Sequence, residues 1–445
     1  MKLDTNKSPY ATVNPCRLCT PLGASLAFRG MRNCMPLVHG SQGCATYIRR
    51  FLISHFREPM DIASSSFSED TAIFGGERNL LDAFENILRQ YNPEVIGIAT
   101  SCLTETIGDD VDKIIRTVQS KIPAKLVSVS TPSFKGSHCI GFHDTVTALV
   151  KSACNKVSSD HGVFIAPPVL STADIRYIKS LCKEFSITPV LLPDYSETLD
   201  GGVWDTYTPI PEGGTPFESI SKAASPESLF IELGSQRENS AGNYLSTTFN
   251  TQSVHLDTPI GIEATDRFIN ALSSLSSKEI PVEIQKARLR CIDSYIDAHK
   301  YVSGVRTVVY GDEDMVPSLV AYCLEIGLEP VLCASEGKLR SELERRVEPG
   351  KRDGLTVCED ADFDTIEKSI VDLKPDLMIG TGKGNHISIK HEIPLVRAGF
   401  PVHDRFGANR LLHVGYDGAL ALLDTIVNTL LSGKQENIPD GYSYL

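Results

Sequence analysis

Three cysteines each stand where a loop or strand gives way to a segment with a helical pattern: Cys19, Cys44 and Cys102. A cysteine at the start of a helix lies beside unpaired backbone N–H groups and the positive end of the helix dipole, and both lower the pKa of its thiol. Thiolates are soft ligands, which select iron–sulfur clusters or zinc over magnesium or calcium. The residue type and its placement therefore predict a thiolate metal site.

The spacing of these cysteines leaves an alternative open. They lie 25 and 58 residues apart, and although Cys16 and Cys19 form a CxxC pair, no second pair has the spacing of a zinc finger. The chain has 12 cysteines, and a single cysteine is usually a small buried hydrophobe. Three buried thiols at loop-to-helix junctions would give the same pattern, so the surrounding sequence has to decide.

Short apolar runs alternate with helical patterns along the whole chain. Runs typical of strands occur at 93–100, 125–130, 162–167, 189–194, 306–311, 329–333 and 376–380. This alternation indicates βαβ units with parallel sheets, whose continuous apolar strands are covered on both faces. The units form three groups, which predicts an α/β protein of three Rossmann-like domains with mainly parallel sheets. We expect an N-terminal arm at 1–18, a first domain with the three cysteines at 19–158, a second domain and connecting helix at 159–298, and a third domain at 299–445.

Composition and charge exclude several classes of protein. Hydrophobic residues make up 41% and charged residues 22% of the 445, which is an ordinary globular balance. The net charge of -13 argues against a nucleic-acid partner, since phosphates require a basic face. No run is long and apolar enough to span a membrane, and the N-terminus lacks the apolar core of a signal peptide. We therefore expect a cytoplasmic protein whose thiols stay reduced.

A glycine-rich segment follows the last predicted strand. Gly380-Thr-Gly-Lys-Gly384 resembles a phosphate-binding loop, but it matches neither GxxxxGK[ST] nor GxGxxG. We favour a tight strand-to-helix turn, because glycine tolerates the backbone angles that such turns need. A nucleotide-dependent α/β enzyme is the alternative. No Ser-His-Asp order or paired-carboxylate pattern indicates a hydrolase, and we assign no catalytic residue.

Ten short motifs occur in order along the chain. They are Cys19-Thr-Pro-Leu-Gly-Ala24, His39-Gly-Ser-Gln-Gly-Cys44, His55-Phe-Arg-Glu-Pro59, Ser65-Ser-Phe-Ser-Glu69, Ile73-Phe-Gly-Gly76, Cys102-Leu-Thr-Glu-Thr-Ile-Gly-Asp-Asp110, Thr131-Pro-Ser-Phe-Lys-Gly-Ser-His138, Leu192-Pro-Asp-Tyr-Ser-Glu-Thr-Leu-Asp200, Gly399-Phe-Pro-Val-His-Asp-Arg405 and Gly415-Tyr-Asp-Gly418. Together they resemble the β-type subunits of nitrogenase component 1 and its relatives, over almost the whole chain. The order of the motifs is far more specific than the spacing of three thiols.

The resemblance implies the nitrogenase component 1 fold and an iron–sulfur cluster shared between an α-type and a β-type subunit. In that family, cysteines matching Cys19, Cys44 and Cys102 are cluster ligands, and the partner subunit supplies further thiolates. Ser133 matches a serine whose hydroxyl joins the ligation of the oxidised P-cluster, although a serine in a Thr-Pro-Ser turn commonly bonds local backbone. The implied cofactors are a [4Fe–4S] or P-type [8Fe–7S] cluster, and an iron–molybdenum cofactor or its precursor held mainly by the partner.

Two kinds of family member fit the sequence. One is a scaffold subunit of the NifN type, which pairs with a NifE-type subunit to mature the iron–molybdenum cofactor. The other is the β-subunit of a catalytic nitrogenase or nitrogenase-like reductase, with a NifD-like partner. Three features favour the scaffold, namely the segments 45–59 and 404–410 and the short stretch before Cys19. The retention of all three cysteines favours the catalytic kind. We favour the scaffold.

Either kind implies a heterotetramer of two α-type and two β-type subunits. A reductase of the nitrogenase iron-protein type would dock on it transiently and pass electrons through the interface cluster. A docking platform with no cluster is the hypothesis from a different class. His39, five residues before Cys44, has two interpretations: a structural turn histidine, or a hydrogen-bond donor near the cluster.

Overall fold

The structure is a computed structural model that describes residues 18–436. Residues 1–17 of the predicted arm, including Cys16, lie outside the described residues. Three parallel sheets of four, four and five strands organise the described part of the chain, which confirms the predicted α/β class. Within that part, no helix is long and apolar enough to cross a bilayer.

The first sheet contains four parallel strands in the order β2-β1-β3-β4. Its strands are β1 (Cys34–His39), β2 (Ala63–Ser64), β3 (Val95–Thr100) and β4 (Lys125–Val129). Its helices are α1 (Thr20–Arg29), α2 (Gln42–Phe56), α3 (Glu69–Phe74), α4 (Glu77–Tyr91), α5 (Cys102–Ile107), α6 (Val111–Val118) and α7 (His138–Ala153). Every residue of β1 and β3 is buried, as expected for strands covered on both faces.

The helices of this sheet follow ordinary packing and capping rules. In α4 the buried side chains recur at helical spacing, namely Leu80, Ala83, Phe84 and Ile87. They join a core that includes Leu37 of β1 and Ile96 and Ile98 of β3.

The strand β1 was missing from the sequence prediction, because a proline such as Pro36 argues against a central strand.

The second sheet has the strand order β6-β5-β7-β8, and β5 pairs in parallel with both β6 and β7. The strands are β5 (Val163–Ala166), β6 (Val190–Leu191), β7 (Leu229–Leu233) and β8 (Gln252–Leu256). Helices α8 (Thr172–Glu184) and α9 (Ala241–Phe249) occur in the same stretch of chain. The phenyl rings of Phe164 and Phe230 stack across β5 and β7 with centroids 6.2 Å apart.

The third sheet has five parallel strands in the order β11-β10-β9-β12-β13. They are β9 (Arg306–Gly311), β10 (Glu329–Ser335), β11 (Thr356–Cys358), β12 (Leu377–Gly380) and β13 (Leu395–Arg397). The helices are α10 (Ile262–Ser276), α11 (Val282–Val302), α12 (Met315–Ile326), α13 (Arg340–Arg346), α14 (Phe363–Leu373), α15 (Asn385–Lys390) and α16 (Gly415–Glu436). The strand order reverses between β9 and β12, as in doubly wound sheets.

Two compact units divide the described residues. One comprises 18–176 and 188–255, with the first sheet and nearly all of the second. The other comprises 177–187 and 256–436, with the third sheet. The predicted domain boundaries near residues 158 and 298 stay a prediction.

Candidate functional site at the edge of the first sheet

All three predicted cysteines lie at the start of a helix. Cys19 is the N-cap residue of α1, with an extended backbone. Cys44 is the third residue of α2, and Cys102 is the first residue of α5. The hydroxyl of Ser101 caps α5 by accepting the backbone N–H of Thr104 at 3.3 Å.

Parallel pairing brings Cys44 and Cys102 to one edge of the sheet. Strands β1 and β3 pair through their last residues, His39 and Thr100, and each strand leads into the segment that carries one cysteine. The backbone N–H of Ser101 donates to the carbonyl of His39 at 3.0 Å, which closes the gap between the two segments. The carboxyl ends of neighbouring parallel strands are where α/β proteins bind ligands.

Cys19 reaches the same edge through a contact between α1 and the segment before α7. Cys19 forms an antiparallel bridge with Ser137, and the hydroxyl of Thr20 donates to the carbonyl of Gly136 at 2.9 Å. The same segment carries Ser133, whose backbone N–H donates to the Sγ atom of Cys102 at 3.2 Å, so this segment contacts both Cys19 and Cys102.

The pKa of Cys19 is raised to about 11, chiefly by burial and to a smaller extent by the charges of Cys44 and Cys102. The backbone N–H of Leu22 only partly offsets this rise. The expectation that a helix start would lower the thiol pKa is therefore wrong for Cys19, because desolvation outweighs the helix end. Three thiolates at this edge would repel one another, and a positively charged metal centre between them would offset that repulsion.

Solvent exposure separates these three thiols from the rest. Cys44 and Cys102 are exposed and Cys19 is partly exposed, whereas the other eight cysteines of residues 18–436 are buried. Exposed cysteine is unusual, since free cysteine is among the most buried residue types. This contrast excludes the interpretation of all three as buried thiols.

Two serines lie against the sulfurs. The backbone N–H of Ser133 donates to the Sγ atom of Cys102 at 3.2 Å, so the amide of the predicted residue makes the contact in this structure. The hydroxyl of Ser41, which sequence reasoning missed, donates to the Sγ atom of Cys44 at 3.4 Å. Its position three residues before Cys44, at the N-cap of α2, was the available signal. Such bonds to sulfur stabilise thiolates and tune metal centres.

Exposed apolar side chains flank the cysteines. Tyr47 lies one helical turn after Cys44 and is 44% exposed, and Leu103 next to Cys102 is 38% exposed. Phe134 follows Ser133 and is 66% exposed. We call these three side chains together with Cys44 and Cys102 the cysteine face. Exposed apolar groups beside a polar site are typical of surfaces that bind another protein.

His39 does not face the sulfurs. Its Nδ1 atom lies 2.9 Å from the hydroxyl of Ser65, and its Nε2 atom lies 3.4 Å from the carboxylate of Asp109. Burial lowers the pKa of His39 to about 4 despite the opposing charge of Asp109, so the imidazole is neutral near pH 7. These contacts agree with the structural interpretation of His39. His39, Ser65 and Asp109 are far apart in sequence, and no motif predicted that they would contact one another.

The glycine-rich segment after β12 forms one turn of 3-10 helix, Gly382–Gly384, and α15 follows it directly. The predicted strand-to-helix turn is thus confirmed, but for a different reason from the expected one. The three glycines avoid positive φ; instead, a Cβ atom on Gly384 would lie 2.2 Å from the hydroxyl of Tyr310. That hydroxyl donates to the carbonyl of Thr381 at 2.7 Å, so Tyr310 fills the inner side of the turn.

The three parallel sheets and the exposed thiols at the edge of one of them define the chain as a doubly wound α/β protein with a thiol-lined site. The family described as nitrogenase component 1 type oxidoreductase matches residues 19–431, and the chain belongs to this family. It is 36% identical over 427 residues to the nitrogenase molybdenum-iron protein beta chain of Clostridium pasteurianum, covering 94% of this chain and 93% of that one.

Further relatives and a solved structure agree. The nitrogenase vanadium-iron protein beta chain of Trichormus variabilis is 34% identical over 454 residues, covering 98% of this chain and 97% of that one. A solved structure of nitrogenase Cp1 at pH 6.5 matches with a TM-score of 0.94 and 33% identity, covering 99% of this chain and 98% of that chain. This match confirms the predicted nitrogenase component 1 fold. The chain is a β-type member of the family.

Proposed function

We propose that this β-type chain is a NifN-type scaffold subunit, which pairs with a NifE-type subunit in the maturation of the nitrogenase iron–molybdenum cofactor. In this proposal the two subunits share an iron–sulfur cluster, either [4Fe–4S] or P-type [8Fe–7S], that relays electrons. The observation that supports the shared cluster is the placement of Cys19, Cys44 and Cys102 at helix starts beside the first sheet, with Cys44 and Cys102 exposed. The choice of the scaffold rests on the resemblance at 45–59 and 404–410.

The residues at this edge fit such a cluster. Cys19, Cys44 and Cys102 offer three thiolates, the ligand type that iron–sulfur clusters take. The N–H of Ser133 and the hydroxyl of Ser41 already point at sulfur atoms. We propose the hydroxyl of Ser133 as a further ligand in the P-type case. When bound, the cluster supplies a centre that gains and loses one electron at a time.

An open face implies that the chain holds only part of the site. Iron–sulfur clusters of the common types take four thiolates, and this edge supplies three. The remaining ligands would come from an α-type partner that covers the cysteine face, including Tyr47, Leu103 and Phe134. The partner would also hold most of the iron–molybdenum cofactor or its precursor. The full assembly would be a heterotetramer with two copies of each subunit.

A second exposed apolar feature supports docking of a reductase. Ile73 and Phe74 end α3 and are 74% and 84% exposed, and we call them the apolar tip. Helix α3 packs against α5, whose first residue is Cys102. We propose that a reductase of the nitrogenase iron-protein type docks transiently on the apolar tip. The chain itself would then bind the reductase, orient the thiolates and limit access of water to them.

A catalytic β-subunit is the second candidate function. It is favoured by the named relatives, which are nitrogenase beta chains matched over at least 94% of this chain. The scaffold is supported by the resemblance at 45–59 and 404–410. Both candidates use the same thiols, so they differ in what the partner holds and in whether the complex turns over substrate.

The test is anaerobic co-purification with the native α-type partner, followed by metal analysis, EPR and mixing with apo-nitrogenase. A scaffold is expected to carry a metallocluster that transfers to apo-nitrogenase and activates it. Substrate reduction by the complex itself, with no such transfer, would contradict the scaffold and support the catalytic subunit.

A further inference from the structure

We propose that Ser65, His39 and Asp109 form a positioning link inside the first sheet. The link joins the apolar tip to the loop that carries Cys44, and so holds a docked reductase at a set distance from the thiols. The inference rests on the proposed function and adds to it the residues that couple docking to the cluster site.

One end of the link lies at the cysteine loop. The backbone N–H of Gly40 donates to the hydroxyl of Ser65 at 2.9 Å, and the same hydroxyl lies 2.9 Å from the Nδ1 atom of His39. Gly40 also packs closely against the segment before Cys102, since a Cβ atom on it would lie 2.3 Å from the hydroxyl oxygen of Ser101. A shift of Gly40 would therefore reach both cysteine-bearing segments.

The other end lies two residues after the apolar tip. The backbone N–H of Gly76 donates to both carboxylate oxygens of Asp109, at 3.1 and 2.9 Å. Gly76 is the N-cap residue of α4, where the helix dipole favours a nearby negative charge. The side chain of Asp109 is 10% exposed, so this bond is largely shielded from water. The end of α3 is thereby tied to Asp109, which follows α5.

His39 joins the two ends. Its Nδ1 atom shares a hydrogen bond with the hydroxyl of Ser65, which also accepts the N–H of Gly40, and its Nε2 atom is buried and aimed toward Asp109 without a hydrogen bond. That nitrogen lies 3.4 Å from Oδ2 of Asp109, which makes it the loosest contact of the link.

Phe67 supplies a second, apolar connection between the same two ends. Its ring meets the ring of His39 edge to face, with centroids 4.8 Å apart. A Cβ atom on Gly76 would lie 2.4 Å from the ring of Phe67, so the glycine backbone packs directly on it. The backbone N–H of Phe67 also donates to the carbonyl of Gly40 at 3.0 Å. Packing and polar contacts thus hold the cysteine loop and the turn after the apolar tip in one register.

The test uses the intact complex with its α-type partner and three variants: Asp109→Ala, Asp109→Asn and the control Asp110→Asn. Asp110 is the exposed neighbour, and its carboxylate caps α6 through the N–H of Lys113 at 2.9 Å. Iron content and EPR are recorded first. The reduction rate of the cluster is then measured with a small chemical reductant and, separately, with the iron-protein reductase at increasing concentration.

We expect Asp109→Ala to keep its iron and its rate with the chemical reductant, and to lose about tenfold of the maximal rate with the protein reductase, because small misplacements of reacting groups cost large factors. Asp109→Asn should lose less of this rate than Asp109→Ala, because the amide oxygen of asparagine still accepts the N–H of Gly76. It should still lose some of the rate, because the amide NH2 group then faces Nε2 of His39. Asp110→Asn should match the wild type. A merely structural role would lower both rates together.

Two results would overturn the link. One is an iron-replete Asp109→Ala complex that is reduced by the protein reductase at the wild-type rate. The other is an equal loss of reduction rate with the chemical and the protein reductant. Each of these results leaves the proposed function intact. If Asp109→Ala does not assemble, Asp109→Asn tests the link through the same comparison, the reduction rate with the protein reductase relative to the rate with the chemical reductant. A wild-type complex without iron would overturn the proposed function and the link with it.

Discussion

The carboxyl edges of the first and third sheets are both formed by parallel strands, but their side chains differ in kind. At the first edge, Cys44 and Cys102 are exposed, and donors such as the N–H of Ser133 point at sulfur. At the third edge, Tyr310 fills the turn after β12. Parallel strands create the crevice in both cases, but the first edge presents exposed thiols, whereas the side chain of Tyr310 fills the turn after β12 at the third edge.

An ion pair lies beside the filled turn of the third edge. The guanidinium of Arg397 donates to the carboxylate of Asp404 from Nε at 2.9 Å and from Nη2 at 2.7 Å. The same Nη2 donates to the amide oxygen of Asn385 at 2.7 Å. Both bonds to Asp404 end on the same oxygen, Oδ2, and together with the bond to Asn385 they tie the loop after β13 to α15. The comparison therefore teaches that a ligand site at such an edge requires unfilled space as well as the right residues.

The largest effect is expected from removing a thiol of the first edge. Cys44→Ala in the anaerobically purified complex should lose most of the interface iron and the broad visible absorption, since one soft ligand is gone. The control is Cys154→Ala, whose buried thiol donates to the carbonyl of Ile220 at 3.4 Å and should leave the iron unchanged. Full absorption in Cys44→Ala would mean that the first edge holds no cluster, and the contrast with the third edge would disappear.

A second effect concerns the helix that presents Cys19. Helices α1 and α7 approach so closely that a Cβ atom on Gly141 would lie 2.0 Å from the carbonyl oxygen of Thr20. Gly141→Ala should therefore destabilise the fold by about 3 kcal/mol and displace the residue next to Cys19. Thermal unfolding and iron content both report this change.

The matched control for that helix contact is Gly433→Ala in α16, where a Cβ atom would meet no atom within 4 Å. Since alanine is the better helix former, this variant should be neutral or slightly more stable. Equal melting temperatures for the two variants would show that the approach of α1 and α7 does not position Cys19.

These expectations show what the sequence could and could not predict. The alternation of strands and helices predicted the parallel sheets, and the residues around Cys19, Cys44 and Cys102 predicted that each lies at the start of a helix. The common edge of Cys44 and Cys102 was not predicted, because β1 was missing from the predicted strands. The close approach of α1 and α7 could not be predicted, because a glycine in a helix is equally compatible with many neighbours. The rise in the pKa of Cys19 depends on burial, which no local pattern contains. The contact of His39 with Asp109 joins residues from different strand–helix units, and nothing in either segment specifies the other.

A smaller effect should appear as acid sensitivity of the first edge. The pKa of buried His39 lies near 4, below its ordinary value of 6.5, so the unfolded chain binds a proton in this interval that the folded chain does not. The stabilising difference is fully present above about pH 6.5 and is lost as the pH falls toward 4. Between pH 7 and pH 5 this group should cost about 2 kcal/mol of unfolding free energy.

The measurement is thermal or denaturant unfolding of the wild type and of His39→Gln at pH 7 and pH 5. The glutamine cannot take up a proton, so its stability should fall less than that of the wild type over the same interval. Equal losses in both proteins would show that the ring of His39 is not shielded from protonation by burial.

The smallest effect, and the sharpest test of the third edge, is the response to nucleotide. If the Gly382–Gly384 turn bound a phosphate, nucleotide at about one hundred times its Kd would stabilise the fold by about 2.7 kcal/mol. We expect no change in melting temperature with Mg-ATP, because the hydroxyl of Tyr310 occupies the inner side of the turn. Tyr310→Phe should lose about 1 kcal/mol from the missing hydrogen bond and still not respond. A clear rise in the melting temperature of the wild type with Mg-ATP would mean that the turn opens to bind nucleotide. The difference between the two edges could then not be explained by open space at the first edge alone.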